Sequence, residues 1–309
     1  MYWGDKNVIA VGSGKAGIGK TTFVANLGVS MAAAGKNVVV IDADTGATNL
    51  HTLLGVTTPQ KTLDDFLNNH QTDLSTVLAD TPYPNLMLLG SASGVLSLAS
   101  PNYSERQRLF HAIQKLKADV IIFDIAAAPH QRATDFFSLA PAGIILIEPA
   151  AATLDSTFSF IKNLLVRGLV RRFYHDKEIT AFIQETVSHS TQNSLRLNEL
   201  LAKLEEKAPG KVSAYRQLFL EGVSSMFIVT NSVKNVDQKA EGTKFARRVK
   251  RELAFHMGVL GSLPYEPSMS ETIAGRVPFV AKSPRSDYSK KMSAIASKII
   301  TLKPPESPQ

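Results

Sequence analysis

Short apolar runs rich in β-branched residues recur along the chain at Val8–Val11, Val38–Ile41, Leu86–Leu89, Val120–Phe123, Ile144–Ile147 and Phe227–Val229. None alternates strictly with polar positions. Strands covered on both faces read this way, so the runs predict a mostly parallel sheet with a helical layer on each side. Helical patterns lie between them: the alanine-rich stretch Thr21–Ala34, which stops before Gly35, then Glu105–Leu116 with Ser104 as its cap, then Asp155–Leu165. Strands and helices in alternation predict an α/β fold, a doubly wound sheet.

Residues 168–224 interrupt that alternation with a polar, helical stretch, read as an insertion between two sheet strands. Ile179, Phe182 and Ile183 share one helix face, and Leu197, Leu200, Leu201 and Leu204 share another at i, i+3, i+4, i+7. Pro209-Gly210 ends the second helix, and Tyr215, Leu218 and Phe219 suggest a third. Such patterning reports burial but not against what; a cap over the core and a partner-binding or dimer-lining subdomain both fit. The polar, proline-rich residues 302–309 read as a disordered tail. A length of 309 residues suits one α/β domain carrying this insertion.

An apolar fraction of 44% suffices for a substantial core. No run approaches membrane-spanning length and no apolar leader precedes the first strand, so a cytoplasmic location is expected. The chain has no cysteine, which removes disulfides, thiolate zinc sites and cysteine-held iron–sulfur clusters. Its 7 histidines show no metal-ligand spacing. A formal net charge of +7 favours anionic partners without choosing among nucleic acid, acidic protein and anionic lipid.

The strongest chemical signal is Gly14-Lys15-Ala16-Gly17-Ile18-Gly19-Lys20-Thr21-Thr22, a phosphate-loop pattern set between an apolar strand and a helix. Its glycines let backbone N–H groups curl around phosphates, and the positive end of the following helix faces the same anions. Lys20 is expected on the β- and γ-phosphates and the Thr21 hydroxyl on Mg²⁺. The second lysine, Lys15, is either a solvated charge or a further phosphate contact, including one to a neighbouring subunit. Asp42 and Asp44 lie at the carboxyl end of a buried strand, where open α/β sheets bind ligands, and suggest Mg²⁺ and water handling. Val120–Phe123 followed by Asp124 fits a Walker B strand, whose carboxylate meets Mg²⁺ through water.

Together these segments resemble the MinD/ParA family of deviant Walker ATPases. The added lysine is matched by Lys15. Asp42-Ala43-Asp44 with Asn49-Leu50 and Leu53-Leu54-Gly55 is similar to the family's Asp-x-Asp…Asn-Leu…Leu-Gly segment. Ile147-Glu148-Pro149 with Thr153 and Asp155, Val229-Thr230-Asn231, and Leu260–Pro264 resemble further family stretches. Gly90-Ser91-Ala92-Ser93-Gly94, followed by Glu105–Leu109, resembles the flagellar-number-regulating FlhG branch. The resemblance covers residue 7 to about 300 apart from the insertion. It implies an ATP-closed homodimer in which Lys15 crosses to the partner's phosphates, Asp44 orients the attacking water, and Asp42 and Asp124 support Mg²⁺ beside Thr21. Asn231 would hydrogen-bond adenine, with Pro264 in the base-contacting loop. Slow, partner-stimulated ATP hydrolysis and spatial or numerical regulation of a cellular structure follow from the same resemblance.

Two departures stand out. Ala16 replaces a glycine of the family loop, and Ala128 replaces a glycine past the Walker B aspartate, which favours binding over brisk hydrolysis. Relatives that need cysteines are excluded. The polar tail argues against C-terminal membrane anchoring, and the FlhG-type N-terminal extension is not expected ahead of Val8. Lys244, Arg247, Arg248 and Arg251 form one basic helix face, either a solvated surface or a patch that tracks DNA. The readings set against the switch are therefore a low-turnover ATP-binding scaffold and a DNA-associated partition protein.

Overall fold

The computed structural model describes residues 6–44, 49–57, 59–68, 73–91, 103–127, 131–188, 197–210 and 225–302. Its centre is an eight-stranded sheet in the order β3-β4-β2-β5-β1-β6-β7-β8. The strands are β1 (Asn7–Gly12), β2 (Val38–Ala43), β3 (Ala79–Asp80), β4 (Leu86–Leu89), β5 (Val120–Ile125), β6 (Ala142–Ile147), β7 (Ser225–Val233) and β8 (Gly258–Pro264). All pairs are parallel except β3 with β4. All six apolar runs became strands. Two strands lie outside those runs: β8, which holds the Leu260–Pro264 stretch, and β3, a two-residue antiparallel edge too short to leave a hydrophobic pattern.

The lack of alternation in these runs follows from two cores. Val8 and Ala10 of β1 and Ile121, Phe123 and Ile125 of β5 face one core. Ile9 and Val11, with Val120 and Ile122, face the other. Every position is therefore apolar while side chains still point alternately up and down.

The helices are α1 (Lys20–Ala33), α2 (Leu50–Leu53), α3 (Leu63–Asn68), α4 (Tyr103–Lys115), α5 (Gln131–Phe137), α6 (Ala151–Arg172), α7 (Lys177–Ser188), α8 (Leu197–Lys207), α9 (Val236–Lys239), α10 (Glu241–Leu253), α11 (Met269–Ala274), α12 (Phe279–Lys282) and α13 (Asp287–Ile300). Two expectations need correction. Ser104 lies inside the first turn of α4 and does not cap it. The helix read at Asp155–Leu165 is α6, which extends beyond it at both ends, so residues 168–172 are its last turn. Beyond it, Ile179 and Ile183 of α7 and Leu197, Leu200, Leu201 and Leu204 of α8 are buried in the same core as one sheet face, with Phe182 packed against it. Gly210, just past α8, has φ +78°, a left-handed conformation suited to glycine. Tyr215, Leu218 and Phe219 lie outside the described residues, as does the tail after Leu302, which itself packs on the second core.

The far half of α6 is fastened to α5. Asp135 is only 3% exposed and pairs with Arg167 at 3.1 Å and with Arg171. Asp135→Ala is expected to lower unfolding free energy by about 2 kcal/mol, the scale of hydrogen bonds to charged groups. A denaturant titration checks this: a shifted midpoint with unchanged slope is the predicted result.

Candidate nucleotide site

The chain passes from β1 to β2 on one side, returns at β5, and crosses β1 to build β6–β8 on the other. That reversal places the loop after β1 over the carboxyl ends of the central strands, where open α/β sheets bind ligands. Gly17 and Gly19 take φ +79° and +86°, left-handed values that other residues rarely adopt. Gly19 is also the N-cap of α1 and offers no side-chain cap, so the first N–H groups of that helix are left for an anion. Lys20 sits in the first turn and is 6% exposed. Burial lowers its pKa, against an opposing pull from Asp124 and Asp44. Lys15 and Ala16 are exposed, Thr21 and Thr22 half-buried, and the Ile18 side chain buried. The buried Ser13 donates its hydroxyl proton to the Lys15 carbonyl at 2.8 Å.

Two carboxylates meet beneath this loop. Asp42 and Asp124 are register partners on β2 and β5, and each is 1% exposed. Asp42 Oδ1 accepts the Asp44 N–H at 3.1 Å, whereas Asp42 Oδ2 and both Asp124 oxygens are buried without a hydrogen bond. The Thr21 hydroxyl is near enough to favour ionised Asp124, but it lies outside hydrogen-bonding geometry, so those oxygens count as unpartnered. Burial raises the Asp42 pKa well above the ordinary carboxylate value, with Asp124 and Asp44 adding repulsion. Burial likewise pushes Asp124 up to about 7, while Thr21 and Lys20 hold it down.

Orphaned carboxylate oxygens beside a hydroxyl and an ammonium suit a hard cation carried in with phosphates. Among the described residues no three His, Cys, Asp or Glu side chains form a metal cluster. This fits Mg²⁺, which keeps waters and phosphate oxygens as ligands and uses few protein groups. Thr21, Asp42 and Asp124 would hold the ion, which would neutralise phosphate charge.

The raised Asp124 pKa has a direction for stability. The native state holds this proton more tightly than the unfolded chain does, so each step up in pH between about 4 and 7 destabilises the nucleotide-free, metal-free protein. Asp124→Asn is expected to reduce this slope, Asp42 keeping its own share, and to stabilise that form above pH 7 by on the order of 2–4 kcal/mol. Thermal unfolding with chelator from pH 5 to 8 reads it; a variant with the wild-type slope would contradict the assignment.

On the other side of the loop, Asn231 reaches from β7 and donates its amide N–H to the Ile18 carbonyl at 2.9 Å. Its nitrogen thus steadies the loop. Pro264 ends β8 beside Val233 of β7. The next residue, Tyr265, is 51% exposed and lies under the Lys234 ammonium, 4.9 Å from the ring centre. Sequence reading passed over Lys234 and Tyr265, since only strand pairing brings the residues after β7 and β8 together.

The basic face of α10 is less bare than its spacing suggests. Lys244 pairs with Glu241 at 2.7 Å, Arg248 with Asp155 at 2.7 Å, and Arg251 with Glu252 at 2.7 Å, while Arg247 is exposed. Interleaved acids on the helix and an acid from α6 offset cations that were read in isolation. Ala128, Ala92, Ser93 and Gly94 lie outside the described residues. Among those described, no helix is long and apolar enough to cross a membrane.

Comparison with known proteins agrees with this geometry. The chain is 28% identical over 203 residues to the antiactivator FleN of Pseudomonas aeruginosa, a match spanning 65% of this chain and 68% of FleN. It is 42% identical over 123 residues to the septum site-determining protein MinD of Synechocystis, spanning 39% of this chain and 45% of that protein. Its fold matches the Mg-ADP complex of MinD from Pyrococcus horikoshii with TM-score 0.63 and 18% identity, over 96% of this chain and 97% of that one. The family described as the CobQ/CobB/MinD/ParA nucleotide binding domain matches residues 9–279. The chain therefore belongs to the MinD/ParA family of P-loop ATPases, whose cofactors are ATP and Mg²⁺.

Proposed function

We propose that this chain is an ATP-dependent dimerising switch of the FlhG-like kind, which holds a protein partner in one nucleotide state and releases it after slow, partner-stimulated hydrolysis. The observation that carries the reading is the division of labour between two lysines of one loop. Lys20 is buried against Asp124 and Asp44, as a group serving its own nucleotide must be. Lys15, five residues earlier, projects into solvent from the same loop, free to reach a second molecule. The similarity to an antiactivator supports a regulatory role over a structural one.

Asp44 would orient the attacking water, and Asn231 with Pro264 would seat the base. Residues 168–224 would help recognise the partner through the outward faces of α7 and α8, where Glu178, Gln184, Lys203 and Glu206 are exposed. Light scattering of the wild type tests the switch. A doubled mass with ATP and Mg²⁺ that reverts in ADP is expected. One mass in every nucleotide state would leave the scaffold reading in its place.

A further inference from the structure

Arg248 stands apart from its neighbours on the basic face. Lys244, Arg247 and Arg251 are exposed, whereas Arg248 is half-buried and turned toward α6. There it makes two contacts: its guanidinium bonds Asp155 at 2.7 Å and lies over the Phe158 ring, 4.4 Å from the centre. Glu252, one turn along α10, holds its other side at 3.6 Å.

Those two α6 residues flank a contact of a different sort. Gly14, the first glycine of the phosphate loop, rests directly on the α6 backbone between them. A Cβ on Gly14 would lie 2.2 Å from the Thr157 nitrogen and 2.3 Å from the Ser156 carbonyl carbon and oxygen. No side chain fits there, so the loop takes its position from this one turn of helix. Lys15 is the next residue.

Within α6 the turn is held by local bonds, the Ser156 and Thr157 hydroxyls donating to the Ala152 and Thr153 carbonyls at 2.8 and 2.7 Å. The N-cap of α6 is Ala150, which offers no side-chain hydrogen bond. By contrast α10 is a firm base. Phe245, Val249 and Leu253 are buried, and Gly242 is packed so closely on β7 that a Cβ would meet the Thr230 hydroxyl at 2.7 Å. The residue after Thr230 is Asn231, which grips the loop's other end through Ile18. The phosphate loop is thus held at Gly14 by α6 and at Ile18 by β7, and Arg248 ties α6 to the helix packed on β7.

We propose that Arg248 is a positioning residue: by clasping Asp155 and Phe158 it fixes the turn of α6 on which Gly14 rests, and so sets where Lys15 stands for the ATPase reaction. The inference rests on the nucleotide-site reading above and adds to it a control point outside the motif. Both contacts are partly exposed, so removing them should relax the turn and not unfold it.

The test compares wild type, Arg248→Ala and Arg248→Lys. Hydrogen exchange is read on peptides covering residues 13–19, 153–159 and 225–233, ATP affinity by calorimetry with Mg²⁺, and turnover by phosphate release. Arg248→Ala should speed exchange in the first two peptides by about three- to tenfold, the scale of one exposed ion pair with a cation–π contact, while leaving 225–233 unchanged. Turnover should fall by a similar factor while ATP affinity changes less than about threefold, because Lys20 and the loop amides remain. Arg248→Lys should restore part of both effects by keeping the charge on Asp155. Unchanged exchange in 13–19, or equal losses in affinity and turnover, would overturn the proposal. If the wild type bound no ATP, the nucleotide reading would fail, while the exchange arm would still decide whether Arg248 positions the loop.

Discussion

Lys20→Ala is expected to weaken ATP binding by at least about a hundredfold. The ammonium is buried at the mouth of α1, where burial lowers its pKa while Asp124 and Asp44 favour its charged form. Its balance is complete when phosphate charge arrives. Truncating one member of a buried charge pair costs about 2–5 kcal/mol, each 1.4 kcal/mol being tenfold. The substitution also takes from buried Asp124 the cation that favours its ionised form, so folding is read alongside affinity. Calorimetry with ATP and Mg²⁺, with thermal unfolding as control, reads the result. Unchanged affinity in a folded variant would remove the phosphate-loop assignment.

Asp44→Ala is expected to lower turnover by about 10²–10⁴-fold while ATP affinity stays within a few-fold of wild type, as for loss of a group that positions the attacking water. The Asp44 N–H is held by Asp42 Oδ1 at 3.1 Å at the end of β2. Its partial exposure lets it meet a water that Asp42 and Asp124, each 1% exposed, do not reach from bulk solvent. Single-turnover phosphate release separates this from a binding defect. A fall in affinity equal to the fall in rate would place Asp44 with the ligands and not with the water.

Much of this was legible in the chain itself. The apolar runs exposed the sheet because strands sandwiched between two cores need no polar face, and the phosphate loop was legible because its chemistry is local, one residue following another. Asp42 and Asp124 were found separately, but their register pairing and orphaned oxygens exist only once β2 and β5 lie side by side. The rest was hidden for the same reason. Asp135 with Arg167 and Arg171, Asn26 holding Val280 N–H at 2.9 Å, and Arg248 with Asp155 all join segments distant in sequence. Spacing alone made Arg248 one of four equivalent cations; packing made it different from the other three. The stretch read as an insertion was patterned clearly enough to place its buried leucines, but not to show that they share the sheet's own core.

On the proposed reading, ATP drives this chain between monomer and dimer. Its most direct test is the mass of Asp44→Ala and Lys15→Ala beside wild type, by light scattering with ATP and Mg²⁺. Asp44→Ala should persist as a dimer because bound ATP is not consumed. Lys15→Ala should bind ATP through Lys20 and the loop amides yet remain a monomer. Wild type should begin as a dimer and return to monomer as ATP runs out. One unchanging mass for all three proteins would contradict the account.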